Sequence, residues 1–166
     1  MANNISVTLK ITESADLEQL FLFQLDPEAC YLAAFMAKDH ADKEAYIAKH
    51  TPFLSDPTKT TRTILVNGII AGSISKFVME GDAEITYWMD KQYWGQGIAT
   101  KALTEFLKIE TTRPIYGRVA FDNIGSQRVL EKCGFVKIGT DRGFANERQA
   151  EIEEYIFILA ANSSPD

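Results

Sequence analysis

From Glu84 to Leu107 the chain reads EITYWMDKQYWGQGIATKALTEFL, and the reading of this stretch decides the fold. Alternation puts Ile85, Tyr87 and Met89 on one face of a strand and Glu84, Thr86 and Trp88 on the other. Beyond the glycines at 95 and 97, the apolar residues Ile98, Ala99, Ala102, Leu103, Phe106 and Leu107 recur at helical spacing, which predicts a helix from Gly95 or Gln96 to Ile109. Two glycines at the mouth of a helix remove two Cβ atoms, so backbone amides and the positive end of the helix dipole face an approaching anion. A pyrophosphate fits such a turn, and so does a plain strand-to-helix connection; Gly-x-Gly alone does not choose between them. A nicotinamide dinucleotide site is disfavoured, because its third small residue falls on Thr100 and its ribose-binding acid has only Phe121-Asp122 to match it.

Outward from this segment, Ile5 to Ile11 alternates as a half-buried strand. Ser14 and Asp16 open a helix with the stripe Leu17, Leu20 and Phe21, which Pro27 ends, and a second helix runs from about Asp39 to Lys49. Thr63 to Val66 and Ile69 to Val78 flank Asn67-Gly68, the strongest hairpin signal in the chain, and a turn at Gly81-Asp82 leads into Ala83 to Met89. After the glycine turn and its helix come a strand from Ile115 to Phe121, a short helix from Asn123 to Cys133 ended by Gly134, and strands over Phe135 to Thr140 and Glu151 to Leu159. Hairpins need antiparallel pairs and strand–helix–strand units need crossovers, so the pattern implies an α/β chain, a mixed sheet with helices on its faces. Residues 1–161 form one domain, and residues 162–166 a frayed tail.

The 166 residues are 46% hydrophobic and 24% charged, a composition that sustains one core without disulfides or a structural metal. Seventeen Lys and Arg against 23 Asp and Glu leave a net charge of −6, with no basic stripe for nucleic acid. Cys30 and Cys133 have no paired spacing and read as reduced thiols; His40 and His50 have no metal-ligand spacing and read as surface residues or as the border of a substrate groove. No metal is expected. The opening MANNISVTLK has no apolar signal core, and the longest apolar run, near Cys30 to Ala37, is too short to span a bilayer. The expectation is a cytoplasmic protein with no membrane or nucleic-acid partner, monomer or homodimer.

Two blocks carry a resemblance. Tyr87-Trp88-Met89-Asp90 through Trp94-Gly95-Gln96-Gly97-Ile98-Ala99-Thr100, followed by Asn123-Ile124-Gly125-Ser126-Gln127-Arg128-Val129-Leu130-Glu131-Lys132-Cys133-Gly134-Phe135, resembles the GNAT superfamily of N-acetyltransferases, in particular the branch that acetylates amino termini of ribosomal proteins. The resemblance implies a mostly antiparallel central sheet of about seven strands flanked by about four helices, with two central strands splayed apart. It implies acetyl-CoA as donor, with its pyrophosphate on the amides of Gly95, Gln96, Gly97, Ile98, Ala99 and Thr100 beside Trp94, and its pantetheine arm between the splayed strands in contact with Asn123. Two positions depart from the superfamily pattern. Trp94 stands three residues before the central glycine, where Arg or Gln is usual, although Gln92-x-x-Gly95-x-Gly97 also satisfies the pattern. Leu130 stands where many relatives carry a tyrosine that protonates the leaving thiolate; the ribosomal-type branch offers the hydroxyl at Ser126 instead.

Acyl transfer from a thioester to an amine needs a neutral amine, a polarised carbonyl and a proton for the departing sulfur. A backbone amide near Met89 or Asp90 serves the carbonyl, Glu84 the amine and Ser126 the sulfur. Each has a plainer reading: Glu84 as a paired or solvated carboxylate, Asn123 as a helix cap, Ser126 as a surface residue. Tyr87, Trp88, Tyr93 and Trp94 read as core and groove wall, or as a platform for an incoming ammonium. Competing functions are a catalytically silent acyl-CoA-binding or sensory domain, and a small-molecule acetyltransferase acting on polyamines, amino acids or an antibiotic amine. The acceptor is set by the first two helices and the loop Asp141 to Ala150.

Overall fold

The computed structural model describes residues 5–161. β1 (Val7–Ile11) leads into α1 (Leu17–Phe23), α2 (Pro27–Ala33) and α3 (Lys43–His50), then into the meander β2 (Thr60–Val66), β3 (Ile69–Met79) and β4 (Asp82–Met89). α4 (Ile98–Ile109), β5 (Ile115–Ala120), α5 (Ile124–Lys132), β6 (Val136–Ala145) and β7 (Ala150–Leu159) complete the order. Among the described residues five α-helices stand in place of about four, and the added one is α2. Pro27, expected to end a helix, begins one: Asp26 accepts from the Glu28 N–H at 3.3 Å, and a proline at the first helical position gives up only an N–H that the helix does not use. Asp141 to Ala150, expected as a loop, is mostly strand, since β6 and β7 stay paired as far as Ala145 opposite Ala150. The tail 162–166 lies outside the described residues. No helix among the described residues is long and apolar enough to cross a membrane.

The strands form one sheet in the order β1-β2-β3-β4-β5-β7-β6, antiparallel throughout except where β4 meets β5. α4 supplies the crossover that this parallel pair requires. The pair is brief, with Ala83, Ile85 and the residue between them set against Ile115 to Gly117. β4 then runs on to Met89 against β3, and β5 to Ala120 against β7. From Thr86 and Arg118 onward the sheet is split.

α4 and α5 cover one face, where Ile98, Leu103 and Phe106 are fully buried with Ile64, Ile74, Ile115 and Phe157. α1 and α3 cover part of the other through Leu17, Phe21 and Tyr46. A buried polar knot fixes α1 to the sheet: Asp16 accepts from Lys10 Nζ at 2.9 Å and from Thr63 Oγ1 at 3.2 Å. The hairpin turn at 146–149 is clasped to α2 and to the segment after it. Arg148 Nε donates to the Tyr31 carbonyl at 2.7 Å while its terminal nitrogens chelate Asp122 at 2.9 and 2.8 Å, and Asn146 Nδ2 donates to the Met36 carbonyl at 2.8 Å.

Gly72 of β3 lies opposite Met89, and a Cβ there would overlap the Trp88 carbonyl oxygen. Gly72→Ala therefore forces β3 and β4 apart beside the split. We expect a stability loss of about 1–3 kcal/mol in urea unfolding; a variant as stable as the parent would show that the close approach carries no cost.

Candidate active site

Along a strand, successive N–H groups point to opposite edges. The Asp90 N–H bonds the Ala71 carbonyl at 2.8 Å, so the N–H groups of Met89 and Tyr87 face the split. Of the two amides expected to polarise a carbonyl, that of Asp90 is committed to the chain around β3, and Met89 is placed to donate. The Asp90 carboxylate caps the 3₁₀ turn Lys91–Tyr93 and accepts from Gln92 Nε2 at 2.7 Å. Asp90 does not line the cavity at the split.

That cavity measures about 630 Å³ and is walled by β4 from Tyr87 to Met89, the glycine turn, one face of α5, and Ala29, Leu32 and Ala33 of α2. Gly95 and Gly97 have φ of 76° and 75°, and a Cβ on either would project into open space, so the backbone conformation rather than packing selects glycine. Gly97 is the N-cap, and α4 begins at Ile98 rather than at Gly95 or Gln96. Its first backbone bond runs from the Lys101 N–H to the Gly97 carbonyl at 3.1 Å, leaving the N–H groups of Ile98, Ala99 and Thr100 without helical partners. All three residues line the cavity, together with Met89, Trp94, Gly95, Gly97, Asn123 and Ser126. Gln96 does not: its side chain turns back to the Gln92 carbonyl at 2.9 Å. The Trp94 indole donates to the Met89 carbonyl at 3.1 Å and ties the turn to the end of β4.

Across from the turn, Asn123 Oδ1 accepts from the Ser126 N–H at 3.3 Å while Nδ2 donates to the Leu32 carbonyl at 3.4 Å, so the cap of α5 also tethers α2. Arg128 and Lys132 reach the same cavity. Neither is among the residues expected at the site from the sequence, although their i, i+4 spacing from Ile124 marks one helix face. They add positive charge to this cavity, in a chain whose net charge is negative.

Ser126 Oγ lies 2.6 Å from the Tyr87 hydroxyl. Burial pushes the Tyr87 phenol up to about 12, so it stays neutral. Leu130 is buried against Gly117, where a Cβ would come within 3.1 Å of both leucine methyls. The position that holds a tyrosine in many relatives is thus part of the core, and the phenol at this cavity comes from β4 instead.

Glu84 is not brought to Ser126. Its carboxylate lies 3.4 Å from Arg118 Nε, and the same guanidinium holds Asp141 at 3.2 Å and Glu154 at 3.1 Å. Burial raises the Glu84 pKa against the opposing pull of Arg118. Glu84 lines neither this cavity nor the second one described below. At about 3.3 Å per residue it stands about 17 Å along β4 from Met89.

The second cavity, of about 180 Å³, lies on the α1–α3 face and shares Tyr87 and Trp88 with the first. Hydroxyls of Thr61, Ser73, Ser75 and Thr86 line it beside Tyr46 and Trp88, with no Asp, Glu, Lys or Arg in its wall. His50 joins them. Its ring stacks on Tyr46 at 3.9 Å and its Nδ1 lies 2.9 Å from the Tyr46 carbonyl. Burial lowers its pKa, and with the proton on Nδ1 the Nε2 lone pair is free to accept. His40 does not line this cavity and packs against Cys30, so both histidines are partly buried where the sequence suggested surface residues.

A family model described as an acetyltransferase (GNAT) domain matches residues 7–136. No curated protein matches the chain significantly. Among solved structures, that of a putative phosphinothricin N-acetyltransferase superposes with a TM-score of 0.81 at 21% identity, covering 95% of this chain and 100% of the other. RimJ of Mycobacterium smegmatis in complex with a CoA-disulfide gives 0.79 at 21% identity over 96% and 84%. A microcin self immunity acetyltransferase in complex with acetyl-CoA and AMP gives 0.75 at 18% identity over 93% and 92%. With a split parallel pair, an amide-lined glycine turn at the split and a family model spanning most of its length, this chain belongs to the GNAT acetyltransferase family.

Proposed function

We propose that the chain transfers an acetyl group from acetyl-CoA to a primary amine, on a protein N-terminus or a small molecule, by direct attack in a ternary complex. The observation that carries this reading is the meeting of two cavities at Tyr87 and Trp88, one on each face of the split sheet. The donor's pyrophosphate suits the free amides of Ile98, Ala99 and Thr100 and the charges of Arg128 and Lys132, and its pantetheine arm suits the open edge of β4 and the Asn123 amide. The Met89 N–H then polarises the thioester carbonyl. The acceptor amine arrives from the Thr86 and Trp88 face.

Ser126 donates a hydrogen bond to the departing sulfur while accepting one from Tyr87. An ordinary thiol has a pKa of about 8.5, well below the Tyr87 phenol at about 12. The pair therefore steadies the thiolate by hydrogen bonding, and the proton lost by the amine completes the balance through solvent. That proton passes first to His50, the one neutral base in the wall of the second cavity. Glu84, bound by Arg118 at a distance along the strand, is the alternative base by way of water.

Four measurements test the reading. Gly97→Glu puts bulk and negative charge on the anion site and should abolish CoA binding by calorimetry in a folded variant; unchanged affinity would displace the donor from this turn. Ser126→Ala should slow turnover by about tenfold to a thousandfold, and Tyr87→Phe should cost less and add nothing in the Ser126→Ala background. Full activity in Ser126→Ala would remove the pair from the chemistry. The kcat/KM profile should fall on an acidic limb below the ordinary imidazole value, because burial favours neutral His50, and His50→Gln should remove that limb. A limb that survives in His50→Gln and vanishes in Glu84→Gln returns the proton to Glu84. CoA binding without thiol release across a broad amine panel would instead support a silent binding domain.

A further inference from the structure

Cys30 on α2, His40 in the segment before α3 and Glu147 in the β6–β7 turn converge although they are far apart in sequence. One candidate ligand atom from each lies within 4.8 Å of the other two. Cys30 Sγ is 3.5 Å from His40 Nε2, and His40 Nδ1 is 3.0 Å from the Ala37 carbonyl and 3.6 Å from Glu147 Oε2. A carbonyl at that distance from Nδ1 fixes the ring proton there and turns the Nε2 lone pair toward the sulfur. Metal-binding histidines are commonly oriented in this way. A tetrahedral zinc site with a metal–sulfur bond of about 2.3 Å and a metal–nitrogen bond of about 2.0 Å has a sulfur–nitrogen edge of about 3.5 Å.

The surroundings favour a cation. Cys30 is almost completely buried, while His40 and Glu147 are partly exposed and leave the cluster a path to solvent. The one buried side-chain oxygen without a hydrogen-bond partner among the described residues is Oδ2 of Asp26, whose charge also acts on Cys30. A cysteine–histidine nucleophile is a poor account of the cluster, because burial and the negative charges of Glu147 and Asp26 push the thiol up to about 11.

We propose that Cys30, His40 and Glu147 form a binding site for a divalent cation of the zinc class, with water as the fourth ligand. On binding, the thiol proton passes to solvent and the sulfur, an imidazole nitrogen and a carboxylate oxygen each donate a lone pair to the ion. The ion joins three segments, one of which, α2, walls the donor cavity. α2 contributes Ala29, Leu32 and Ala33 to that cavity, and the hairpin turn is already fastened to the chain after α2 by the Glu147 N–H bonding the Ala34 carbonyl at 3.1 Å. It therefore acts as a clasp on one wall, outside the chemistry.

The full chain, purified with reductant and stripped of metal, is titrated with Co²⁺, whose tetrahedral thiolate complexes give a near-ultraviolet sulfur-to-metal charge-transfer band and intense visible bands. We expect both at one ion per chain, displacement by Zn²⁺, and a rise in the thermal midpoint of roughly 5–10 °C at a hundredfold excess of Zn²⁺ over its Kd. His40→Gln and Glu147→Gln should each weaken Co²⁺ binding at least tenfold, and Cys30→Ser should abolish the charge-transfer band. Absence of that band in the parent chain overturns the proposal. So does a band whose affinity is unchanged in both His40→Gln and Glu147→Gln, variants at partly exposed positions that do not depend on repacking the core.

Discussion

The constraint on which the rest of the molecule depends is the open edge of β4 beyond Ile85. A strand that loses its neighbour inside a sheet exposes backbone donors and acceptors that cost free energy unless water or a ligand satisfies them. Here the loss is held in place by packing. Leu130 rests on Gly117 and against Ile85 at the point where pairing ends, so α5 fills the space where β5 would have continued beside β4. The Tyr87–Ser126 bond pins the same helix to β4 one turn nearer the opening. Two indoles hold the far end of the strand, Trp94 on the Met89 carbonyl and Trp88 on the Phe23 carbonyl of α1. With both sides fixed, the Met89 N–H faces a gap that the protein does not fill.

Two helix N-termini and two basic side chains are gathered around that gap. The crossover demanded by a parallel pair places the N-terminus of α4 at the end of β4, and the short return from β5 places the N-terminus of α5 opposite it. Two helix N-termini thus converge on one cavity, and the positively charged face of α5 adds Arg128 and Lys132. The third wall is α2, which has little core of its own. It is held by polar clasps to the β6–β7 turn, with Arg148 chelating Asp122 and stacking its guanidinium 3.8 Å from the Tyr31 ring centre.

The readable parts of the sequence were those governed by local rules. Asn67-Gly68, the Gly95–Gly97 turn, the stripe of α4 and the Asn123 cap each state their geometry within a few residues, and the structure follows them. Pro27 misled because the same residue that cannot continue a helix is well suited to start one, and the Asp26 cap was the signal that separates the two. Asp141 to Ala150 misled because its side chains alternate weakly, while its strand character comes from the long ladder with β7. Glu84 was correctly placed on the Trp88 face, but nothing local reveals that Arg118 reaches it from β5. The Tyr87–Ser126 bond and the Cys30–His40–Glu147 cluster join residues on separate elements, which spacing along one element does not encode.

Strand alternation gives the site its division of labour. Because Tyr87 points to the α5 face while Thr86 and Trp88 point to the α1–α3 face, one stretch of β4 borders both cavities, which meet at Tyr87 and Trp88. Charge is divided in the same way: Arg128 and Lys132 line the first cavity, where Asp122 is already paired with Arg148, and among the described residues the wall of the second has no Asp, Glu, Lys or Arg and one imidazole that burial favours in its neutral form. On the proposed function, an ammonium entering the second cavity would meet hydroxyls and aromatic faces but no carboxylate to hold its charge, which would favour its neutral form beside His50. The leucine at 130 then ceases to be an anomaly. A tyrosine there would need the space that Leu130 fills against Gly117, and that packing keeps the sheet split; the hydroxyl at the cavity is supplied instead from β4, on the far side of the opening that Leu130 maintains.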